Sequence, residues 1–193
     1  MKNSDVKDGD AMAPADLLEP VLDLMRTDGE AALSRLDFLI GHYENDPRLY
    51  FMRGSVLAGL EHYADARVAM QKAVEIAPDY GLARFQLGFL ALTSGEVVVA
   101  RSIWHPLLDL AAEHPLKLFV QGIDAMLVDN FQLAIGLLEA GIERNKELPP
   151  LSQNIAILIR GMREKLKSQD VNEDIESGAH FLLKQYSFKD TRH

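Results

Sequence analysis

The chain has 193 residues, 48% of them hydrophobic and 25% charged, which is enough apolar surface for a packed core and excludes a wholly disordered chain. A net charge of −9 argues against a nucleic-acid partner, since binding phosphates needs a basic stripe. The absence of cysteine excludes disulfides, thiolate zinc sites and cysteine nucleophiles. No apolar run approaches the roughly 18 residues of a membrane-spanning helix. Negative charge is concentrated at the start: residues 1–46 hold four basic and eleven acidic side chains. Such an end serves solubility, or meets a basic partner.

Residues 1–13 are polar and acidic, without the apolar stretch of a secretory signal, and are expected to be disordered in a cytoplasmic protein. Two amphipathic helices are expected next, Asp16 to Met25 and Glu30 to Tyr43, making a helix pair within residues 14–46. From residue 47 to 148 a period of 34 takes over. Gly54, Gly88 and Gly122 share that spacing, as do Ala66, Ala100 and Ala134 twelve residues later. Phe51, Phe85 and Phe119 precede the glycines by three, and bulky Tyr63, Val97 and Phe131 follow them by nine. Each period reads as two helices joined by a short turn, in the first case Arg48 to Gly59 and Tyr63 to Ile76, stopped by Pro78. Glycine in mid-helix costs about 1 kcal/mol against alanine, so its recurrence calls for a close helix–helix contact. His105-Pro106 falls within the second helix of the second period, where proline is expected to bend the axis.

Downstream, Leu151, Ile155, Leu158, Met162 and Leu166 form one apolar stripe, expected as a capping helix over residues 149–168. The tail, residues 169–193, carries Ile175, Ala179, Leu182, Leu183 and Tyr186 at spacings that suit a further short helix. Glu173, Asp174 and Glu176 would favour its start through the helix dipole.

This pattern resembles the tetratricopeptide repeat (TPR), a 34-residue helix–turn–helix unit. Residues 47–80 carry the likeness best, with Tyr50, Gly54, Leu57, Tyr63, Ala66, Ala73 and Pro78. Residues 81–114 keep Leu87, Gly88, Ala91, Gly95, Ala100 and Trp104, and residues 115–148 keep Leu118, Gly122, Ala125, Phe131, Ala134 and Leu138. Departures include Arg84 where the family favours tryptophan, and Lys146 in place of the terminal proline. The resemblance implies an all-α fold, a TPR-type α-solenoid in which antiparallel helix pairs form a right-handed superhelix with helical caps at both ends. Its implied role is a protein–protein interaction scaffold or adaptor that holds a peptide or helix of a partner in an apolar concave groove. The layout is also similar to the small acidic TPR chaperones of bacterial type III secretion, and implies as the alternative a chaperone shielding an apolar segment of a client. A homodimer is a further arrangement left open.

Carried over from the family, the groove positions that form an apolar stripe are Phe51 in the first period, Phe85, Phe89 and Leu92 in the second, and Phe119, Ile123 and Met126 in the third. The same i, i+4, i+7 spacing would equally make a core stripe. The lysines and asparagines of carboxylate-gripping TPR modules are missing. Little points to an enzyme or a cofactor. His42, His62, His105, His114, His180 and His193 show no metal-ligand spacing, and no phosphate-cradling glycine loop is present. Glu139 and Glu143 are an i, i+4 pair of the kind that usually faces solvent.

Overall fold

In a computed structural model the described residues are 11–146 and 149–169. They form helices α1 (Ala15–Thr27), α2 (Gly29–Ile40), α3 (Pro47–Gly59), α4 (Tyr63–Ile76), α5 (Gly81–Thr93), α6 (Val97–Trp104), α7 (Pro115–Leu127), α8 (Phe131–Arg144) and α9 (Pro149–Gln169), with no strand among them. The expected helix of the tail lies outside the described residues. Two compact units divide the chain, residues 1–90 and 91–193.

Local chemistry explains where the helices begin. Asp28 caps α2 by accepting from the Ala31 N–H at 3.0 Å, and Asn130 caps α8 by accepting from Leu133. Asp46-Pro47 and His114-Pro115 open α3 and α7, each pairing a side-chain cap with a proline whose missing N–H is not needed there. At His105-Pro106 the second helix of the middle period does not bend. It ends as α6 at Trp104 and tightens into a 3₁₀ turn over His105–Asp109, because i→i+3 bonding tolerates the lost donor.

Within the first unit α3 packs on α4, and within the second α7 packs on α8. The glycine column sits at these crossings. A Cβ added at Gly54 would stand 2.8 Å from Cγ of Met70 and 3.1 Å from the Ala66 carbonyl oxygen. At Gly122 it would stand 2.6 Å from Cγ of Leu138 and 3.2 Å from the Ala134 carbonyl oxygen. Ala66, Ala100 and Ala134 are fully buried, as are the large residues one period apart, Met70, Trp104 and Leu138.

The turn within each period is also repeated, atom for atom. The N–H groups of His62, Glu96 and Asn130 donate to the carbonyls of Leu57, Ala91 and Ala125, a six-to-one closure of the preceding helix. The residue before each donor is left-handed: Glu61 at φ 66°, Gly95 at φ 81° and Asp129 at φ 59°. Only one of the three is glycine, so Glu61 holds a conformation that costs an L-residue about 1–2 kcal/mol.

Two substitution pairs test this reading. Gly122→Ala should lower stability by about 1–3 kcal/mol, because the new methyl meets Leu138 and has no free space. Gly136→Ala, on the same helix pair with nothing within 4 Å of the new methyl, should raise it by up to about 1 kcal/mol. Glu61→Gly should stabilise by up to about 1 kcal/mol and Gly95→Glu should destabilise, both read from chemical denaturation midpoints.

Candidate protein-binding surface

The sequence places seven apolar side chains on the binding stripe, and the structure divides them by depth. Phe51 and Phe89 are partly buried. Phe85, Leu92, Phe119, Ile123 and Met126 are at most 2% exposed. These five are core in this structure, and a partner meeting the surface as it stands would not touch them. For Phe119 the cause is local. Its ring lies against Gly141 of α8, where an added Cβ would come within 2.5 Å of it. The ring therefore fills a notch left by a missing side chain and ties α7 to α8.

What remains accessible in the first unit centres on Phe51. Its ring meets Tyr80 at a centroid distance of 5.3 Å and an interplanar angle of 56°, a favourable tilted aromatic contact. On α5, Phe89 stacks on the buried Phe85 with centroids 6.3 Å apart. Burial raises the Tyr80 hydroxyl above its ordinary value, against the nearby Arg48 cation, which lowers it.

Arg48 belongs to a cluster that sequence reasoning missed. Asp46 is the only charged residue among the described ones that is completely buried. Its carboxylate accepts from the Arg48 backbone N–H at 3.0 Å, from Arg48 Nε at 3.0 Å and from Nη2 at 2.7 Å. A further bond comes from the Ala13 N–H at 2.9 Å, while Arg48 Nη2 donates to the Ala13 carbonyl at 2.7 Å. Both main-chain groups of one residue are thus gripped by one ion pair. Ala13, which the composition assigns to a disordered stretch, is 2% exposed and fixed. Burial pushes the Asp46 carboxyl up. Hydrogen bonds from the Arg48 side chain and from the Ala13 and Arg48 backbones, with the guanidinium charge, outweigh it and hold the group below the usual carboxylate range. The same hydrogen bonding raises Arg48 against the opposing effect of burial.

Two of the surface depressions among the described residues lie elsewhere. One of about 630 Å³ runs between α8 and α9, with Ile142, Ala156 and Ile159 among its lining and Glu139 opposite Arg163. The other, of about 430 Å³, is lined by α2, α3 and α4 and contains the Arg53–Asp37 ion pair at 2.7 Å. None of the seven stripe residues lines either one. Among the described residues no cluster of three or more metal-ligating side chains occurs, and no helix is long and apolar enough to cross a membrane.

Residues 47–80 match the family model for the tetratricopeptide repeat. Comparison by sequence with curated proteins finds no match. Among solved structures the chain is similar to "MamA 41-end" from Desulfovibrio magneticus RS-1, at 17% identity and a TM-score of 0.54, covering 94% of this chain and 99% of that one. It is also similar to a MamA RS-1 ArsTM double mutant, at 16% identity and a TM-score of 0.53, covering 82% of this chain and 99% of the other. At these identities the likeness speaks for the fold. That fold is all-α, of the TPR-type helical solenoid class.

The depths predict opposite outcomes for one substitution type. Phe119→Ala should cost about 3–5 kcal/mol by thermal or chemical melting, as for any fully enclosed ring, and Phe51→Ala distinctly less. Asp46→Asn should cost about 1.5–3 kcal/mol near neutral pH, because charged hydrogen bonds are lost. A lowered carboxyl stabilises the fold above its unfolded value, and that stabilisation is lost as pH falls through the folded one. The gap between the wild type and Asp46→Asn should hold from pH 7 to 5 and close below about pH 4 in a pH series of melts.

Proposed function

We propose that this protein is a non-enzymatic scaffold or adaptor that binds a peptide or helix of a partner protein on the A-helix face of its repeats. The observation that carries this reading is the pairing of a matched TPR with an aromatic surface that packing leaves partly open at Phe51 and Phe89. Phe51 and Tyr80 offer two mutually tilted aromatic rings, with the Arg48 cation near enough to lower the Tyr80 hydroxyl. Such a pair suits an apolar anchor on an otherwise polar segment. Phe85, buried, stacks on Phe89 and supports that ring from within the unit. In the second unit Leu92, Phe119, Ile123 and Met126 do the same for their own helices, acting through helix position and not through contact. The partner is a protein; nothing in the chain favours nucleic acid or membrane insertion.

The test is recovery of partners from the native host with the wild type and with Phe51→Ser/Phe89→Ser. Loss of a specific partner with the melting curve largely retained is the expected result. Retention of every partner by a folded double variant would remove the surface from consideration. A single client that becomes insoluble once the protein is withdrawn would instead establish the chaperone alternative.

A further inference from the structure

Helix α1 is held to its unit by less than any other helix of that unit. Of its thirteen residues only Val21 is fully buried, and Leu22 is 51% exposed. Its N-cap residue, Pro14, makes no side-chain cap hydrogen bond, and Pro20 inside the helix removes a backbone donor. Leu17, Leu18, Leu24 and Met25 only partly enter the apolar cluster formed by Leu36, Leu39, Leu49 and Met52. A single extended residue, Asp28 at φ −153° and ψ 95°, joins α1 to α2. Against this weak seat stands a buried polar contact, the grip of Asp46 and Arg48 on both main-chain groups of Ala13, one residue before the cap.

We propose that α1 is a clasped flap: the Asp46–Arg48 pair latches Ala13, and release of the latch lets α1 swing about Asp28 while the rest of the unit stays folded. The clasp acts on the backbone of one small residue outside the helix, so it can open without unwinding α3. Opening uncovers the apolar faces of Leu36, Leu39 and Met52, a trough already shaped to the amphipathic helix it holds at rest. Phe51 packs partly against the same cluster. α1 is thereby an internal occupant of an apolar helix-binding trough. This stands whether or not Phe51 contacts a partner, since its test reads α1 alone.

Amide hydrogen exchange on the full chain supplies that test. Residues 15–27 should exchange at least about tenfold faster than residues 63–76 in the wild type, through an opening that spares α4. Ala13→Pro deletes the N–H that Asp46 receives, and Asp46→Asn keeps a cap acceptor but removes the charge. Either should speed exchange over 15–27 by a further factor of about ten or more, with 63–76 still at least about tenfold slower than 15–27. The cysteine-free chain permits a second reading: Val21→Cys places a lone thiol at a fully buried position. Its labelling by a thiol reagent should accelerate in step with exchange when Ala13→Pro is added. Equal protection of the two segments in the wild type, unaltered exchange over 15–27 in both variants, or exchange over 63–76 rising to the rate over 15–27 in the variants would each overturn the proposal.

Discussion

Close approach of two backbones, at a glycine on one helix and an alanine on the next, is the constraint on which the rest of this structure depends. Where Gly54 faces Ala66 and Met70, or Gly122 faces Ala134 and Leu138, no room remains for even one added carbon. The helices of each such pair are joined by a tight turn. The left-handed residue and six-to-one hydrogen bond at Glu61, Gly95 and Asp129 supply it. The same proximity leaves a larger space on either side of the contact, filled by Met70 in the first period and Leu138 in the third.

The first unit fixes the entry of its first helix through a buried charge. A buried carboxylate is expensive to desolvate and is tolerated only when it is paired and fully hydrogen-bonded. Asp46 satisfies that requirement through Arg48 and by taking the N–H of a residue more than thirty positions earlier. One charged group therefore performs two tasks, capping α3 and fixing the entry of α1. Removing Arg48 would strand the buried carboxylate, so cap and clasp are coupled by desolvation and not merely by geometry.

Much of the helical layout was legible because helix periodicity and the 34-residue spacing superimpose. The spans expected as Arg48 to Gly59 and Tyr63 to Ile76 are the observed α3 and α4 to within one residue. Features that depend on backbone conformation left no readable trace. The left-handed column is occupied by Glu61, Gly95 and Asp129, three residue types with nothing in common on inspection. Ala13 looks like one more small residue in an acidic lead, since what is recognised there is its main chain. The depth of the aromatic stripe was hidden for a different reason. Gly141 lies outside the repeated columns, its counterparts one and two periods earlier being Leu107 and Ala73, so the notch that swallows Phe119 belongs to the third period alone.

That depth has an energetic consequence for recognition. A fully buried Leu- or Phe-sized anchor is worth about 1.5–3 kcal/mol, and a micromolar complex needs about 8 kcal/mol before the cost of ordering a flexible segment. A ladder of seven open apolar residues could meet that sum by burial alone. With Phe51 and Phe89 only partly available and the other five sealed, apolar burial on the present surface falls short. The balance must come from polar contacts to the partner's backbone or from additional apolar area. The trough beneath α1 is where this chain keeps such area in reserve, lined by Leu36, Leu39 and Met52 and adjoining Phe51. A partner strong enough to draw on it would have to exceed both the hold of one carboxylate and one guanidinium on a single alanine and the apolar packing of Val21 and its neighbours on α1.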